Sequence, residues 1–535
     1  MLTPDRIVVV GGGSAGWMTA STLKRAFPHR DIVVIESPDV PIVGVGESTL
    51  GGIRDWTRYI GLDESSFFPA TDASYKMSIK FTDFRKKGSG PFHYPFGTPQ
   101  GDVNRHPYLD WHIKKFLYPE TPITDFVDCL FPGSALFNSN KFSLNKDGNF
   151  DTYNPETDVA YHFDATKFGI WLRDTYCIPN GVGHIQATVT DVKTNDSGVE
   201  RLILDNGTEV QADLYIDCTG WRSILLGGAL NEPFESWEDI LPNNSAVATH
   251  IPYKDKELEL EPYTNCTAIG NGWVWNIPLW SRIGTGYVYS DKYLSYDEAV
   301  EEFKQHLMSD NMVVPRTREE VDALIFKPIK MRVGIHERTF VKNVMAIGLS
   351  AGFIEPLESN GLFSVHEFLA KAIDVLGNNE ISQTYKDMYN ISVKNLFTSF
   401  SKFVAMHYSL SRRDDTQYWK DISNKTFLGH DGDPYGSSPS YNNGFQAIGY
   451  AYINEWGWPV DNSGIPFIAT GLGMEMITEH RLINLSFRNK RDYKSEVDSQ
   501  NIVWESRKKR WYRNAKKEPT LFQYLADNFY EKKEI

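Results

Sequence analysis

The chain has 535 residues, of which 41% are hydrophobic and 23% charged, a balance that excludes a disordered polymer and allows a large core with more than one structural region. Its formal net charge of −14 argues against general binding to nucleic acid or to an anionic membrane, because the long-range field repels both. The basic run Arg507, Lys508, Lys509, Arg510, Arg513, Lys516 and Lys517 opposes that balance locally and reads as a solvated helix face.

Cys129, Cys177, Cys218 and Cys266 are scattered, with no CxxC pair, so reduced thiols are expected and neither a disulfide framework nor a metal site. The opening "MLTPDRIVVVGGG" passes directly into a strand without the basic and apolar regions of a secretory signal, and no apolar run is long enough to span a bilayer. A soluble, cytoplasmic protein is the expectation.

The first predicted element is a strand at Ile7–Val10, short and continuously apolar as in a strand buried on both faces. The turn Gly11–Gly16 follows, then a helix with Ala20, Leu23 and Phe27 on one face, then a strand from Asp31 to Ile35 ending at Glu36. The segment 86–154 reads as loop rich in aromatics. Strands at Val199–Leu204 and Glu209–Ile216 flank Asp205-Asn206-Gly207, a hairpin signal because Asn-Gly accepts positive φ. "LYIDCTGWRS" is a strand ending at Asp217, and Val344–Ile347 is a strand entering a small-residue turn at Gly348 and Leu349. Leu362, Val365, Leu369, Ile373 and Leu376 then mark a helix face, and after Asn378 the pattern is helical and aromatic with long loops such as Gly429–Gly444.

Gly11-x-Gly13-x-x-Gly16 between a strand and a helix is a dinucleotide fingerprint. Gly11 permits the tight turn, Gly13 lets a pyrophosphate approach the backbone, and Gly16 lets helix and sheet pack closely. Ser14 and Ala15 open the helix, whose N-terminus meets the phosphate charge. Glu36 suits a ribose without a 2′-phosphate. The motif alone does not choose between NAD and FAD. The strand-ends at Asp217–Arg222 and at Gly348–Leu349 favour FAD, a longer molecule that needs contacts from distant sequence.

"GWVWNIP", residues 272–278, places two indoles two residues apart, and on a strand both face the same way. With Gly272, Trp273, Trp275, Ile277 and Pro278 it matches the GWxWxIP signature of the flavin-dependent halogenases of the tryptophan halogenase family, which the chain resembles. "VGVGEST" (Val43–Thr49) resembles that family's flavin-covering loop, including Glu47, Ser48 and Thr49. "SYKMSIKF" resembles the segment carrying its essential lysine, at Lys76. "GFIEPLESNG" resembles its EPLES segment, with the catalytic glutamate at Glu358. These matches cover about the first two-thirds of the chain.

The resemblance implies an α/β fold of the flavin monooxygenase type, Rossmann-like and FAD-binding, with an added, largely helical substrate-binding layer. We divide the chain into a FAD-binding domain at 1–85 and 155–378 and a substrate-binding region at 86–154 and 379–535. It further implies that reduced FAD, oxygen and a halide ion give hypohalous acid, which passes through an internal tunnel to a small aromatic substrate. Trp273 and Trp275 would wall the substrate from the flavin. Lys76, by position otherwise an ordinary snorkelling lysine, would hold hypohalous acid as an ammonium donor or form a haloamine as an amine. Glu358 would stabilise and deprotonate the cationic ring. Ser359, Asn360 and Gly361 open a helix whose N–H groups cradle the halide. Asn360 stands where many members have threonine, and a preference for a larger halide is the expectation. Tyr94 and Phe96, in "FHYPFG", stand where tryptophan-specific members have a His-x-Phe element, so an indole-like or phenolic ring is expected rather than free tryptophan. Tyr452, Glu455, Trp456 and Trp458 are candidates for gripping the rest of the substrate.

A single dinucleotide fingerprint implies that reduced flavin comes from a separate NAD(P)H-dependent flavin reductase. A homo-oligomer is allowed. Two rival readings are a single-component flavin monooxygenase that hydroxylates with NAD(P)H, and a binding protein that holds FAD without turnover.

Overall fold

The apolar run at the start of the chain forms the strand Arg6–Val10, whose Ile7, Val8 and Val9 are fully buried. Asp31–Glu36 and Leu214–Asp217 pair with it on either side, both parallel. The sheet runs in the order Phe340–Val341, Val344–Ala346, Leu214–Asp217, Arg6–Val10, Asp31–Glu36, Gly183–Gln186, and only the Phe340–Val341 edge is antiparallel. Strands covered on both faces need no polar side, which accounts for continuous Val and Ile where an antiparallel sheet would alternate. The helix Ser14–Ala26 buries Trp17, Met18, Ala20 and Leu23, and Phe27 closes it.

The computed structural model describes residues 2–40, 44, 46–101, 107–378, 380–425, 464–475 and 477–531. Two compact units divide the chain. The first comprises Met1–Ala73, Tyr161–Ala246 and Pro328–Lys402, and the second Ser74–Ala160, Val247–Lys327 and Phe403–Ile535. These limits differ from the division drawn on the sequence: 74–85, 155–160 and 247–327 group with the second unit, and 379–402 with the first. Long-range pairing is the reason. Ser78–Thr82 is a parallel partner of Tyr263–Ile269. Asn390 bonds through its side chain to the backbone of Thr339 and Phe340 at 2.8 to 3.0 Å.

In the second unit, Ile283–Tyr289, Gly272–Pro278, Tyr263–Ile269, Ser78–Thr82 and Pro91–Pro95 are consecutive neighbours of one sheet. Trp273, Trp275 and Ile277 share one face of the Gly272–Pro278 strand. Val274 on the other face joins a cluster with Tyr287, Phe303 and Leu307. Phe303 and Leu307 come from the helix Tyr296–Leu307, which starts at a capping box of Ser295 and Glu298.

Three local expectations change. The hairpin around Gly207 (φ 79°) forms, but its second arm ends at Val210, and Leu214–Asp217 leaves to join the parallel sheet. Asp213 turns the chain there, its carboxylate accepting from the N–H groups of Asp5 and Arg6 at 3.1 and 2.8 Å. The region 86–154 holds the strand Pro91–Pro95 and the helices Pro107–Leu117, Asp125–Leu130 and Ser134–Phe137 in place of loop. The basic run lies on the helix Tyr493–Ala515 and the turn after it, where Lys509 and Arg513 on the helix and Lys516 and Lys517 beyond it are exposed but Lys508 reaches Asp125 at 2.5 Å beside Lys114 at 2.7 Å. That pairing holds the Asp125 carboxyl down at about 2 against the opposing effect of its burial. The loop Gly429–Gly444 lies outside the described residues.

Candidate active site

Packing and space separate the glycines of the fingerprint. A Cβ on Gly11 (φ 115°) would stand 2.3 Å from the Cys218 carbonyl oxygen, and one on Gly16 1.8 Å from that of Gly11. These two allow the turn and the helix–sheet contact. Gly13 differs: nothing lies within 4 Å of a Cβ built there. An open cradle therefore faces the first turn of Ser14–Ala26, and it fits a pyrophosphate set against backbone N–H groups. Ser14 Oγ donates to the Ala165 carbonyl at 2.7 Å. Gly348 (φ 71°) comes so near Ala15 that a Cβ on it would be 3.0 Å from the alanine methyl, which brings the Gly348–Leu349 turn to the fingerprint. Cys218 lies alongside as a neutral thiol, its pKa pushed up to about 12 by burial.

Glu36 ends its strand with its carboxylate accepting from His184 Nε2 at 2.9 Å and 3.5 Å from Arg173. Sequence reading missed both partners. His184 belongs to the neighbouring parallel strand, paired with Val34, and only sheet register reveals it.

Glu47, Ser48 and Thr49 are all buried and pinned to residues 161–163. Phe163 N–H donates to the Glu47 carbonyl at 2.9 Å, Thr49 N–H and Oγ1 donate to the Tyr161 carbonyl at 3.1 and 2.7 Å, and Tyr161 N–H returns a bond to Thr49 Oγ1 at 2.9 Å. The Tyr161 hydroxyl donates to Glu64 at 2.6 Å, and burial with that carboxylate raises its pKa. Val43 and Val45 lie outside the described residues.

The segment Pro356–Glu358 is a single helical turn, with Glu358 fully buried. Ser359 (φ 58°) precedes the helix Asn360–Leu376 but does not cap it. Its hydroxyl donates to Ser48 Oγ at 3.0 Å. Asn360 Nδ2 donates to the Glu355 carbonyl at 3.3 Å, and the buried Asn360 Oδ1 has no hydrogen-bond partner among the described residues. A Cβ on Gly361 would meet open space. The helix thus starts with uncapped N–H groups beside a buried carboxylate. Asn243, not singled out in the sequence, donates to Glu355 Oε2 at 3.0 Å with both side chains fully buried.

In the second unit, Lys76 is 0% exposed, so the snorkelling reading fails. Backbone and hydroxyl bonds frame it: Ser74 Oγ donates to the Pro278 carbonyl at 2.6 Å, Met77 N–H to that of Pro262 at 2.7 Å, and Phe96 N–H to that of Met77 at 3.0 Å. Lys76 Nζ stands 5.2 Å from the centre of the Phe96 ring. Trp273 and Trp275 are buried with ring centres 6.2 Å apart. Tyr94 stacks on Phe467 at 5.2 Å and meets Phe96 and Phe403 edge-on, while Phe96 stays half-buried. Tyr452, Glu455, Trp456 and Trp458 lie outside the described residues. Among the described residues no cluster of His, Cys, Asp and Glu is arranged to hold a metal ion, and no helix is long and apolar enough to cross a membrane.

The sequence pattern of the tryptophan halogenase family matches residues 6–430. The chain belongs to that family. This halogenase-family chain is 35% identical over 443 residues to tryptophan 6-halogenase SttH of Streptomyces toxytricini, covering 79% of this chain and 81% of that one. With tryptophan 7-halogenase RebH of Lentzea aerocolonigenes it shares 32% over 435 residues, 78% of each chain. The solved apo structure of VirX1 overlays at a TM-score of 0.89 and 35% identity, covering 99% of both chains. The family is one of flavin-dependent oxidoreductases, and its fold joins a Rossmann-like FAD-binding sheet to a helical layer. The family pattern stops at residue 430, whereas the overlay takes in almost the whole halogenase chain.

Proposed function

We propose that the chain halogenates a small electron-rich aromatic, indole-like or phenolic, with reduced FAD, oxygen and a halide ion as co-reactants. The observation that carries this reading is the complete burial of Lys76 and of Glu358. Burying an ammonium or a carboxylate costs several kcal/mol, so such groups are retained where chemistry needs them.

Bound as FADH2, the flavin supplies with oxygen the oxidising equivalents that convert halide to hypohalous acid. The open space over Gly13 takes the pyrophosphate and Glu36 the ribose. The strap at Glu47–Thr49 covers the cofactor, and Gly348 and Leu349 add contacts near the fingerprint. Backbone N–H groups at Asn360 and Gly361 hold the halide, while that of Ser359 is already donated to the Pro356 carbonyl at 2.9 Å, so Ser359 contributes through its place in the turn. The Lys76 ammonium donates a hydrogen bond to the oxygen of hypohalous acid and polarises the O–halogen bond. The Phe96 ring lies 5.2 Å from Nζ and lines this position, and a haloamine formed by the neutral amine is the alternative route. Glu358 stabilises the cationic ring left by electrophilic attack and accepts the proton from the carbon that gained the halogen. Trp273 and Trp275 act by bulk, keeping the aromatic away from the cofactor. Reduced flavin comes from a separate NAD(P)H-dependent reductase.

The test is mass spectrometry of an aromatic panel incubated with FAD, a reductase, NADH and each halide. Chlorine or bromine isotope doublets, or the iodine mass increment, are expected. Lys76→Ala should lower product by on the order of a hundredfold or more and leave FAD binding intact. A hydroxylated product made without halide, or unchanged turnover in Lys76→Ala, would overturn the reading.

A further inference from the structure

The strand that carries Lys76 is only three residues long, Ser74–Lys76, and cannot fix a side chain by its own ladder. Its other face is held by aromatic rings. Tyr75, one residue before Lys76 and therefore pointing the opposite way, is 3% exposed and stacks on Phe142 at 4.5 Å with the planes 4° apart. Two residues near the end of the chain complete the group: Tyr524 at 6.1 Å and Phe529 at 6.3 Å from the Tyr75 ring, with Tyr524 also 4.6 Å from Phe142.

The same terminal segment grips the strand of the paired tryptophans. Trp280, two residues past Pro278, lies nearly parallel to the rings of Tyr530 at 4.0 Å and Phe522 at 5.6 Å. Lys256 Nζ lies 3.2 Å over the Trp280 ring. Since Ser74 Oγ is bonded to the Pro278 carbonyl, the two gripped strands are themselves tied together. The segment is anchored at its start, where Phe142 N–H donates to the Pro519 carbonyl at 3.1 Å and Gln523 donates to Glu257 at 2.7 Å.

We propose that residues 521–530 form an aromatic clamp, with Tyr524 and Phe529 as positioning residues that hold Tyr75 and so aim Lys76, while Phe522 and Tyr530 fix the end of the Trp273/Trp275 strand through Trp280. The proposal rests on the assignment of Lys76 above. It places a determinant of halogenation beyond residue 430, outside the part of the chain that carries the family pattern.

Ring contacts at Trp280 and around Tyr75 contribute beyond area burial, and a lysine moved by about 1 Å loses on the order of a hundredfold in a positioned reaction. Making hypohalous acid does not need Lys76 in its place. Capturing it does. Loss of the clamp should therefore uncouple the two.

The experiment compares wild type, Phe529→Ala, Tyr524→Ala and the conservative Tyr524→Phe, each first shown to be folded by thermal unfolding. Three readings are taken: halogenated product, free hypohalous acid caught by the diketone trap monochlorodimedone, and the rate at which an amine-reactive reagent modifies Lys76, read by peptide mass spectrometry. The alanine variants should lose product about tenfold or more while trapped oxidant rises to keep the sum within about twofold, and Lys76 should label several-fold faster. Tyr524→Phe should behave as wild type. A folded Phe529→Ala or Tyr524→Ala protein with wild-type Lys76 labelling overturns the clamp, as does a parallel fall of product and trapped oxidant. Phe529, half-buried, serves if Tyr524→Ala does not fold. Absence of both product and oxidant in wild type would defeat the functional assignment alone, and the labelling would still decide the clamp.

Discussion

Ser359 and Ser48 meet hydroxyl to hydroxyl at 3.0 Å across 311 positions of sequence. Ser359 opens the proposed halide turn, and Ser48 sits in the strap proposed to cover the flavin. Either serine replaced by alanine removes one hydrogen bond, a loss of about 1 kcal/mol. Halide KM should rise and FAD affinity fall in Ser359→Ala and in Ser48→Ala alike. The double variant should add little to either single one, because they share one interaction. Full additivity in a double-mutant cycle on halide KM would refute the link.

Gly13 and Gly16 should part company. Gly13 has φ −76° and open space around a built Cβ, so Gly13→Ala should fold with unchanged or slightly raised melting temperature yet bind FAD at least about tenfold more weakly. Gly16→Ala drives a methyl into the Gly11 carbonyl and should lose about 2 kcal/mol or more of stability. Urea unfolding and FAD titration of the two proteins separate the roles. Normal FAD affinity in Gly13→Ala would remove the cradle.

The Trp275 indole lies against Gly286, its paired residue on the adjacent strand, and a Cβ there would come within 2.2 Å of the ring. Gly286→Ala should therefore cost about 1–3 kcal/mol by overpacking. Trp275→Phe in the same chain should recover part of that loss, a coupling of about 1 kcal/mol. Independent effects of the two changes would show that the glycine does not set the indole's position.

His306, on the helix Tyr296–Leu307, is 5% exposed, and neither ring nitrogen has a hydrogen-bond partner among the described residues. Burial pushes its pKa from 6.5 down to about 4. Between those values the unfolded chain binds a proton that the folded chain refuses, so this group removes stability as pH falls through that window and no more below it. His306→Leu should gain on wild type by on the order of 3 kcal/mol between pH 7 and pH 4. Urea unfolding at both pH values measures the difference, and an identical pH slope in the two proteins would contradict it.

The parallel core was legible because burial on both faces leaves a local mark: the run Ile7–Val10 and the glycines after it. The helix at Asn360 and the strand of the tryptophans were legible for similar reasons. The helices in 86–154 were not, since aromatic residues there serve long-range contacts and blur the 3.6-residue period. Trp111, for example, donates to Asp125 at 3.0 Å and meets Phe126 edge-on. His184, Arg173 and Asn243 carry no motif, and each acquires its place through a strand or turn remote in sequence.

By itself the sequence determined the nucleotide fingerprint, the family signature and the identity of Lys76 and Glu358 as candidates, because backbone turns and short motifs are written in neighbouring residues. Tertiary structure alone decided that Lys76 is buried, that Glu36 is shared with His184, and that Tyr524 and Phe529 stand behind Tyr75. Burial and ring contacts between distant positions depend on how strands and helices pack, and no local spacing encodes that.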